Sequence, residues 1–454
     1  MTAAGMTAVA GATRSRLPRT SSLAGGEADQ FRGKRDRQEG TPSTWRRDFR
    51  LLWLGETTSS LGSSVTIVAL PLVAISLHAS VVMIGLLSAA AWLPWLLIGL
   101  PAGAWVDRLP KRPVMLVCDA VSLAMFVSVP IAAALGMLTI AQLLVVALLA
   151  GAAKVFFATA YRTYLPALVP AEQLVDGNAK LQGSESAAQI AGPGLAGVLA
   201  QAVGAATGLL ADAVSFLVSA ACLRAIRGIE PQRTKARQRL RHEIGEGLRF
   251  VARDRFLRPY VLFGGVANLA LTGYQAIVVV FLVREVGVGS GTVGLLIATG
   301  SVGGVLGATL APWLARRLGT ARALLLAKVG LAPFGLLIPL TGPGARLVFF
   351  VVGGCVVVAG IVAGNVISAG FTQRYCPAEL FGRISTSMQV VNFGTIPVGA
   401  MLGGVLGGAV GTRTTLWLML GLFVASGAIL VASPFRGRRD LPTEPSHPGG
   451  TIGA

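Results

Sequence analysis

The chain has 454 residues, 53% of them hydrophobic and only 13% charged, against about 25% charged in a soluble domain. Its formal net charge is +19, yet Lys and Arg fall in short breaks between apolar runs and in the tails, without interleaved aromatics or zinc-ligand spacing, which excludes a nucleic-acid-binding plan. Cys118, Cys222, Cys355 and Cys376 form no paired spacing and the three histidines lie far apart, so no disulfide framework, metal site or cofactor is expected.

Residues 1–48 are rich in Arg, Gly, Ser and Thr and lack the apolar core of a signal peptide, which predicts a disordered basic cytoplasmic tail. Twelve apolar runs of spanning length follow, at roughly 52–77, 82–103, 114–135, 138–160, 184–204, 207–224, 259–283, 292–314, 322–341, 346–371, 384–408 and 414–434. Each is expected to be a helix, because lipid offers no partner to an open backbone. The expected fold is therefore an all-α integral membrane protein of twelve transmembrane helices.

Positive residues are retained on the cytoplasmic side. They cluster after the second run (Arg108, Lys111, Arg112), the sixth, the eighth (Arg316, Arg317, Arg322) and the last, whereas the breaks after runs one, three and five hold none. Both termini are then cytoplasmic, in a plasma membrane. Between the sixth and seventh runs, Leu240, Ile244, Leu248 and Val251 share one helical face, which predicts a surface helix within a cytoplasmic linker over 226–258.

The first half, 49–225, and the second, 259–435, repeat each other, ahead of a disordered tail over 436–454. VPAEQL at 169–174 returns as CPAELF at 376–381, with Glu172 and Glu379 207 residues apart, and Trp105 returns as Trp313 after 208. Two anchors at nearly one spacing indicate two pseudo-symmetric six-helix halves. In secondary transporters so built, the substrate site lies between the halves at mid-membrane.

The loop after the second run reads GAWVDRLPKR, 103–112. It resembles the loop 2–3 signature of the major facilitator superfamily in Gly103, Asp107, Arg108, Lys111 and Arg112. Gly103 permits close helix approach, and Asp107 among cations makes a latch that breaks as the halves rock, unless the charges only set topology. In the second half Ala315 replaces the acid. The fifth run carries AQIAGPGLAG, 188–197, similar to the Gly-Pro signature of proton-coupled exporters in that superfamily, through Gly192, Pro193 and Gly197. It implies either a pivot or close packing on a neighbouring helix. SSLGSSVTIVALPL, the stretch from Arg162 to Pro193, and EIGEGLRFVARD resemble the branch that includes enterobactin-type siderophore exporters and macrolide efflux proteins, particularly its actinobacterial members. The likeness runs from about residue 46 to 435.

A charge in a spanning helix needs a partner, a route to water or a function. The inventory is Glu56 and Glu185 near cytoplasmic ends, Asp119 in the third run, Lys154 in the fourth, Asp212 in the sixth and Lys328 in the ninth. Depths counted along the helices nearly match for Asp119 and Lys154, so an Asp119–Lys154 pair is expected, structural or proton-coupling. Relatives in that branch commonly carry an arginine one turn after the Asp and an acid after the Phe-Phe of the fourth span; here Ser122 and Ala158 stand there. Asp212 is the rival proton carrier. Asn268, Tyr274 and Gln275 in the seventh run, Asn365 in the tenth, and Gln389 and Asn392 in the eleventh are substrate-cavity candidates or interhelical hydrogen-bonding residues.

The reading is a non-enzymatic secondary transporter that exports small amphipathic compounds of macrolide, other drug or siderophore class. It alternates access by rocking its halves, exchanges protons, works as a monomer in the lipid bilayer and binds neither metal nor nucleic acid. No GxxxxGK loop is present, so ATP is not the direct driver. An uptake permease of the same fold and a transporter-like membrane sensor are the alternatives.

Overall fold

A computed structural model of the chain describes residues 42–106, 108–170, 173–227, 240–377 and 381–443. The first half holds α1 (Pro42–Ser76), α2 (Val81–Val106), α3 (Lys111–Ala134), α4 (Ile140–Leu168), α5 (Leu174–Val203) and α6 (Leu210–Ala225). The surface helix α7 (Leu240–Arg253) precedes the second half: α8 (Leu257–Val280), α9 (Ser290–Leu318), α10 (Thr320–Leu325), α11 (Val348–Tyr375), α12 (Phe381–Val410) and α13 (Thr412–Val431). Among the described residues every regular element is helical, and 11 helical stretches are long and apolar enough to cross a membrane.

Two of the expected runs come out differently. The fifth is a longer helix than its apolar part, because α5 begins at Leu174 and its first turns carry Asp176, Lys180, Ser184 and Glu185, too polar to face lipid all round. The ninth is not one α-helix: α10 passes into a π turn over Leu326–Gly330 and a 3-10 stretch over Ala332–Leu340. Pro333 and Pro339 lie in that stretch, where their missing N–H groups and ring clashes break the α ladder.

The tails also depart from expectation where they are described. α1 already begins at Pro42, a residue suited to the first helical turn because its absent N–H has no partner to lose. After the last span the chain returns to the start of α10. Asp440 Oδ1 accepts from Thr320 N at 2.9 Å, Leu441 N donates to Thr320 Oγ1 at 2.8 Å, and Ala321 N donates to the Arg439 carbonyl at 3.0 Å. A carboxylate satisfies the open N–H groups of a helix N-terminus, so residues up to 441 are held instead of disordered. The remaining tail residues, 1–41 and 444–454, and linker residues 228–239 lie outside the described residues.

Within the first half, α1 packs on α5 and α6, and α4 on α2 and α3; in the second, α8 packs on α12 and α13, and α9 on α11. The halves meet chiefly through α2 with α12 and α5 with α9. Glycines set how close they come: a Cβ at Gly404 would stand 2.7 Å from Gly85 Cα, and one at Gly197 would stand 2.9 Å from Gly294 Cα. All four lie toward the end of the bundle opposite the chain termini, where Arg284 Nη2 also donates to the Ala79 carbonyl at 2.6 Å. Toward the terminal end, Trp92 and Trp95 of α2 meet Phe393 of α12 at centroid distances of 6.3 and 5.4 Å. Nearer the termini Trp105 is half exposed, and a Cβ at Gly103 would meet nothing within 4 Å. The halves thus meet backbone to backbone at the end opposite the termini and through side chains toward the terminal end.

At the terminal end α7 joins the second half through Asp254. Its Oδ1 accepts from Phe256 N at 2.9 Å and Leu257 N at 2.8 Å, capping α8, and its Oδ2 accepts from Tyr375 Oη at 2.6 Å. Phe256, Phe371, Tyr375 and Phe435 pack around that carboxylate.

Candidate functional site: two poles across the bundle

The first pole is built by five side chains from four helices. Glu56 of α1 lies within electrostatic reach of Lys154 of α4, Asp119 of α3 and Glu185 of α5, and Tyr161 of α4 is close to Glu56 and Glu185. Asp119 is 2% exposed. Ser219 of α6 lies close to it, while its Oδ2 and the Tyr161 hydroxyl have no hydrogen-bond partner among the described residues.

The expected Asp119–Lys154 ion pair does not form. Among the described residues no carboxylate lies within 4.0 Å of Lys154, and its side chain is exposed. Lys154 falls on the α4 face of Gly151, which packs on Ala91 of α2, and of Arg162, whose Nη1 reaches Gln389 Oε1 of the second half at 3.5 Å. That face looks into the space between the halves, whereas Asp119 is turned toward α6. Similar depth fixes height along the bundle and leaves rotation about each helix axis open. Of the positions compared with relatives, Ser122 is buried on α3 and Ala158 half-buried on α4.

Asp212 stands apart from this group in its bonding. It is 1% exposed and accepts from Thr66 Oγ1 of α1 at 2.5 Å and from Ser215 Oγ at 3.1 Å. A Cβ at Gly62 would come 2.8 Å from Asp212 Cα, so this hydroxyl-bonded carboxylate is packed tightly between α1 and α6.

The second pole centres on Lys328, in the π turn after α10. Its Nζ donates to Asn365 Oδ1 of α11 at 2.9 Å and stands 5.6 Å from the Phe263 ring centroid. Gly364 makes room for its stem, since a Cβ there would lie 2.6 Å from Lys328 Cγ. Lys328 lies 209 residues after Asp119, close to the repeat spacing. The contact between third and fourth spans expected in the first half is thus found in the second, between the corresponding spans.

Lys328 opens on a cavity of about 280 Å³ lined by Asn268, Asn365, Gln389 and Asn392 together with Phe263 and Phe393. An adjoining cavity of about 470 Å³ shares Tyr260, Asn365, Gln389 and Asn392. Asn268 Nδ2 donates to Asn392 Oδ1 at 3.2 Å. Four of the six expected cavity residues therefore come together. Tyr274 packs beside the apolar core and Gln275 is exposed farther along α8; neither lines these two cavities. Lys328 was visible in the sequence as an isolated charge, and its missed signal was the amide at Asn365.

Among the described loop 2–3 residues, Lys111 and Arg112 make bonds within their own half. Lys111 Nζ donates to the Val106 and Leu109 carbonyls at 2.5 and 3.1 Å, capping α2, and Arg112 Nη2 donates to the Arg224 carbonyl at the end of α6 at 2.6 Å. Cations on terminal carbonyls complement the negative helix end. Arg108 is exposed, and Asp107 lies outside the described residues. The close approach expected at Gly103 is absent, since a Cβ there would meet nothing within 4 Å. In the fifth-span motif, a Cβ at Gly192 would lie 3.0 Å from the Ser64 backbone of α1. Gly197 and the Pro193 carbonyl contact Gly294 of α9, so the motif lies on the junction between halves at the closed end.

A family profile described as transmembrane secretion effector matches residues 43–448. The multidrug efflux pump Tap of Mycolicibacterium fortuitum is 26% identical over 416 residues, covering 89% of this chain and 100% of that protein. Macrolide efflux protein A of Streptococcus pyogenes is 24% identical over 157 residues, 35% of this chain and 39% of that one. Among solved structures, the nucleoside transporter NupG (D323A mutant) gives a TM-score of 0.71 at 12% identity, covering 85% of this chain and 99% of that one. A bacterial homologue of the iron transporter ferroportin in its inward-facing state gives 0.68 at 15% identity, covering 86% and 99%.

Proposed function

The chain belongs to the transmembrane secretion effector family of major facilitator transporters, and on that premise we propose that it exports small amphipathic compounds of drug or macrolide class in exchange for protons. The observation that supports this reading is the pair of poles in halves whose backbones meet closely at one end, whereas toward the other they meet through the side chains of Trp92, Trp95 and Arg162 with Phe393 and Gln389. Substrate enters from the open end, the halves rock about the contacts of α2 with α12 and α5 with α9, and the far end opens. With basic loops on the cytoplasmic side, the open end faces the cytoplasm of a plasma-membrane monomer. The chain is a transporter and not an enzyme.

Glu56 and Asp119 are the proton-carrying groups in this scheme, with Lys154 as the neighbouring cation. They line the first pole, where a carboxylate can exchange its proton as the pole opens to one side and then the other. Asp212, hydroxyl-bonded between α1 and α6, holds helices together. The relatives' names, a multidrug and a macrolide efflux protein, support the substrate class. The test is accumulation of a fluorescent amphipathic dye in cells expressing the chain or an empty vector, with and without a protonophore. Lower accumulation that is abolished by the protonophore is expected; lower accumulation that persists in its presence contradicts proton exchange.

A further inference from the structure

We propose that the Lys328 pole is a subsite for an anionic oxygen group, so that the preferred substrates are amphipaths carrying a carboxylate on an apolar body, zwitterions included. The inference rests on the exporter reading and names the substrate class that this reading leaves open.

The observations concern charge balance. Lys328 is a cation within a spanning segment, where a charge requires a partner or a use. Its Nζ has three donors to place, and the described structure supplies Asn365 Oδ1 at 2.9 Å and the Phe263 ring face. No carboxylate lies within 4.0 Å of it among the described residues. Between residues 257 and 433 the chain contains only two acids, Glu285 and Glu379. Glu285 is committed at the closed end, where it accepts from Arg413 N at 3.1 Å and pairs with Arg413 Nε at 3.3 Å. Glu379 lies outside the described residues, in the loop between α11 and α12.

The surroundings are built to hold such a cation beside a ligand. The π turn over Leu326–Gly330 carries Lys328, a local widening that recurs at functional positions. Gly364 is cut back to pass its stem. The cavity it faces has amides from three helices, Asn268, Asn365 and Asn392, beside the apolar walls of Phe263 and Phe393. A few convergent polar groups in an apolar pocket are what orient a small ligand, and a cation with amide donors matches a carboxylate through charge-assisted bonds. The opposite pole carries Glu56, Asp119 and Glu185 beside the single cation Lys154, an excess of acids that favours an amine on the same molecule.

The experiment uses the full chain in lipid nanodiscs and a matched probe pair, dansylglycine and its methyl ester, with binding read by dansyl fluorescence. Wild type is expected to bind the acid roughly tenfold more tightly than the ester, the scale of one charge-assisted bond. Lys328→Gln should bring the two affinities together, with intact folding read from an unchanged thermal transition; Lys328→Arg should keep the preference. Equal affinities in wild type, binding of neither probe, or an acid preference that survives Lys328→Gln would overturn the proposal. Dye export in cells by a wild type without acid preference would sink this subsite and leave the exporter reading standing, whereas no export alongside acid preference would do the reverse.

Discussion

Gly85 of α2 and Gly404 of α12 meet backbone to backbone across the two halves, so close that a Cβ on Gly404 would stand 2.7 Å from Gly85 Cα. A Leu at position 404 has no flexible side chain to displace. Forcing a side chain into such a contact costs about 1–3 kcal/mol, enough to shift a two-state equilibrium roughly 5–150-fold. Gly404→Leu should therefore reach normal abundance, lose most dye efflux and favour the state open at the closed end. Cysteine cross-linking between the two halves at that end reads the shift directly.

Gly103 makes the converse case. A Cβ there meets nothing within 4 Å, so Gly103→Leu should change thermal stability by less than about 0.5 kcal/mol. Rocking that opens the far end brings the terminal end of α2 toward the second half. The same variant should then slow efflux at unchanged protein level, seen by comparing initial rates with immunoblots; efflux equal to wild type would mean that this surface stays open throughout the cycle.

Asp212 and Lys154 should separate stability from transport. Asp212→Ala removes the acceptor of the Thr66 and Ser215 hydroxyls in a packed site and should destabilise by about 1–3 kcal/mol, visible as lower abundance and an earlier thermal transition. Lys154→Gln removes a charge that pairs with no carboxylate within 4.0 Å among the described residues and should leave abundance unchanged while altering efflux. Loss of the protein in Lys154→Gln would restore the ion pair with Asp119.

The Asp254 cap ties the surface helix to α8 and α11 through three hydrogen bonds of 2.6 to 2.9 Å. Tyr375→Phe leaves one oxygen of that buried carboxylate without its hydroxyl donor and should cost about 1–3 kcal/mol. A thermal transition unchanged within error would show that the junction contributes nothing to the fold.

The helices and the two-half repeat were legible because a bilayer imposes length and polarity on each span, and because Glu172 with Glu379 and Trp105 with Trp313 keep nearly one spacing. The polar start of α5 was not legible as membrane helix, since Asp176 and Lys180 pair with each other at 2.9 Å on the helix surface and break the apolar signal. Asn268, Asn365, Gln389 and Asn392 converge on one cavity as their positions in neighbouring spans suggested. The Asp119–Lys154 pair failed because counting residues gives height and not azimuth. Lys328 and Glu56 are legible as charges in spans but not as site residues, because the partner of Lys328 is an uncharged amide on another helix and Glu56 lies near a helix end.

Proton exchange through the first pole is the central claim, and proteoliposomes test it most directly. The full chain is reconstituted with a pH-sensitive dye trapped inside, and an amphipathic substrate without titratable groups is added outside. Substrate entry should raise the internal pH with wild type and should leave it unchanged with Glu56→Gln. Substrate entry through wild type with no change in internal pH would contradict the account.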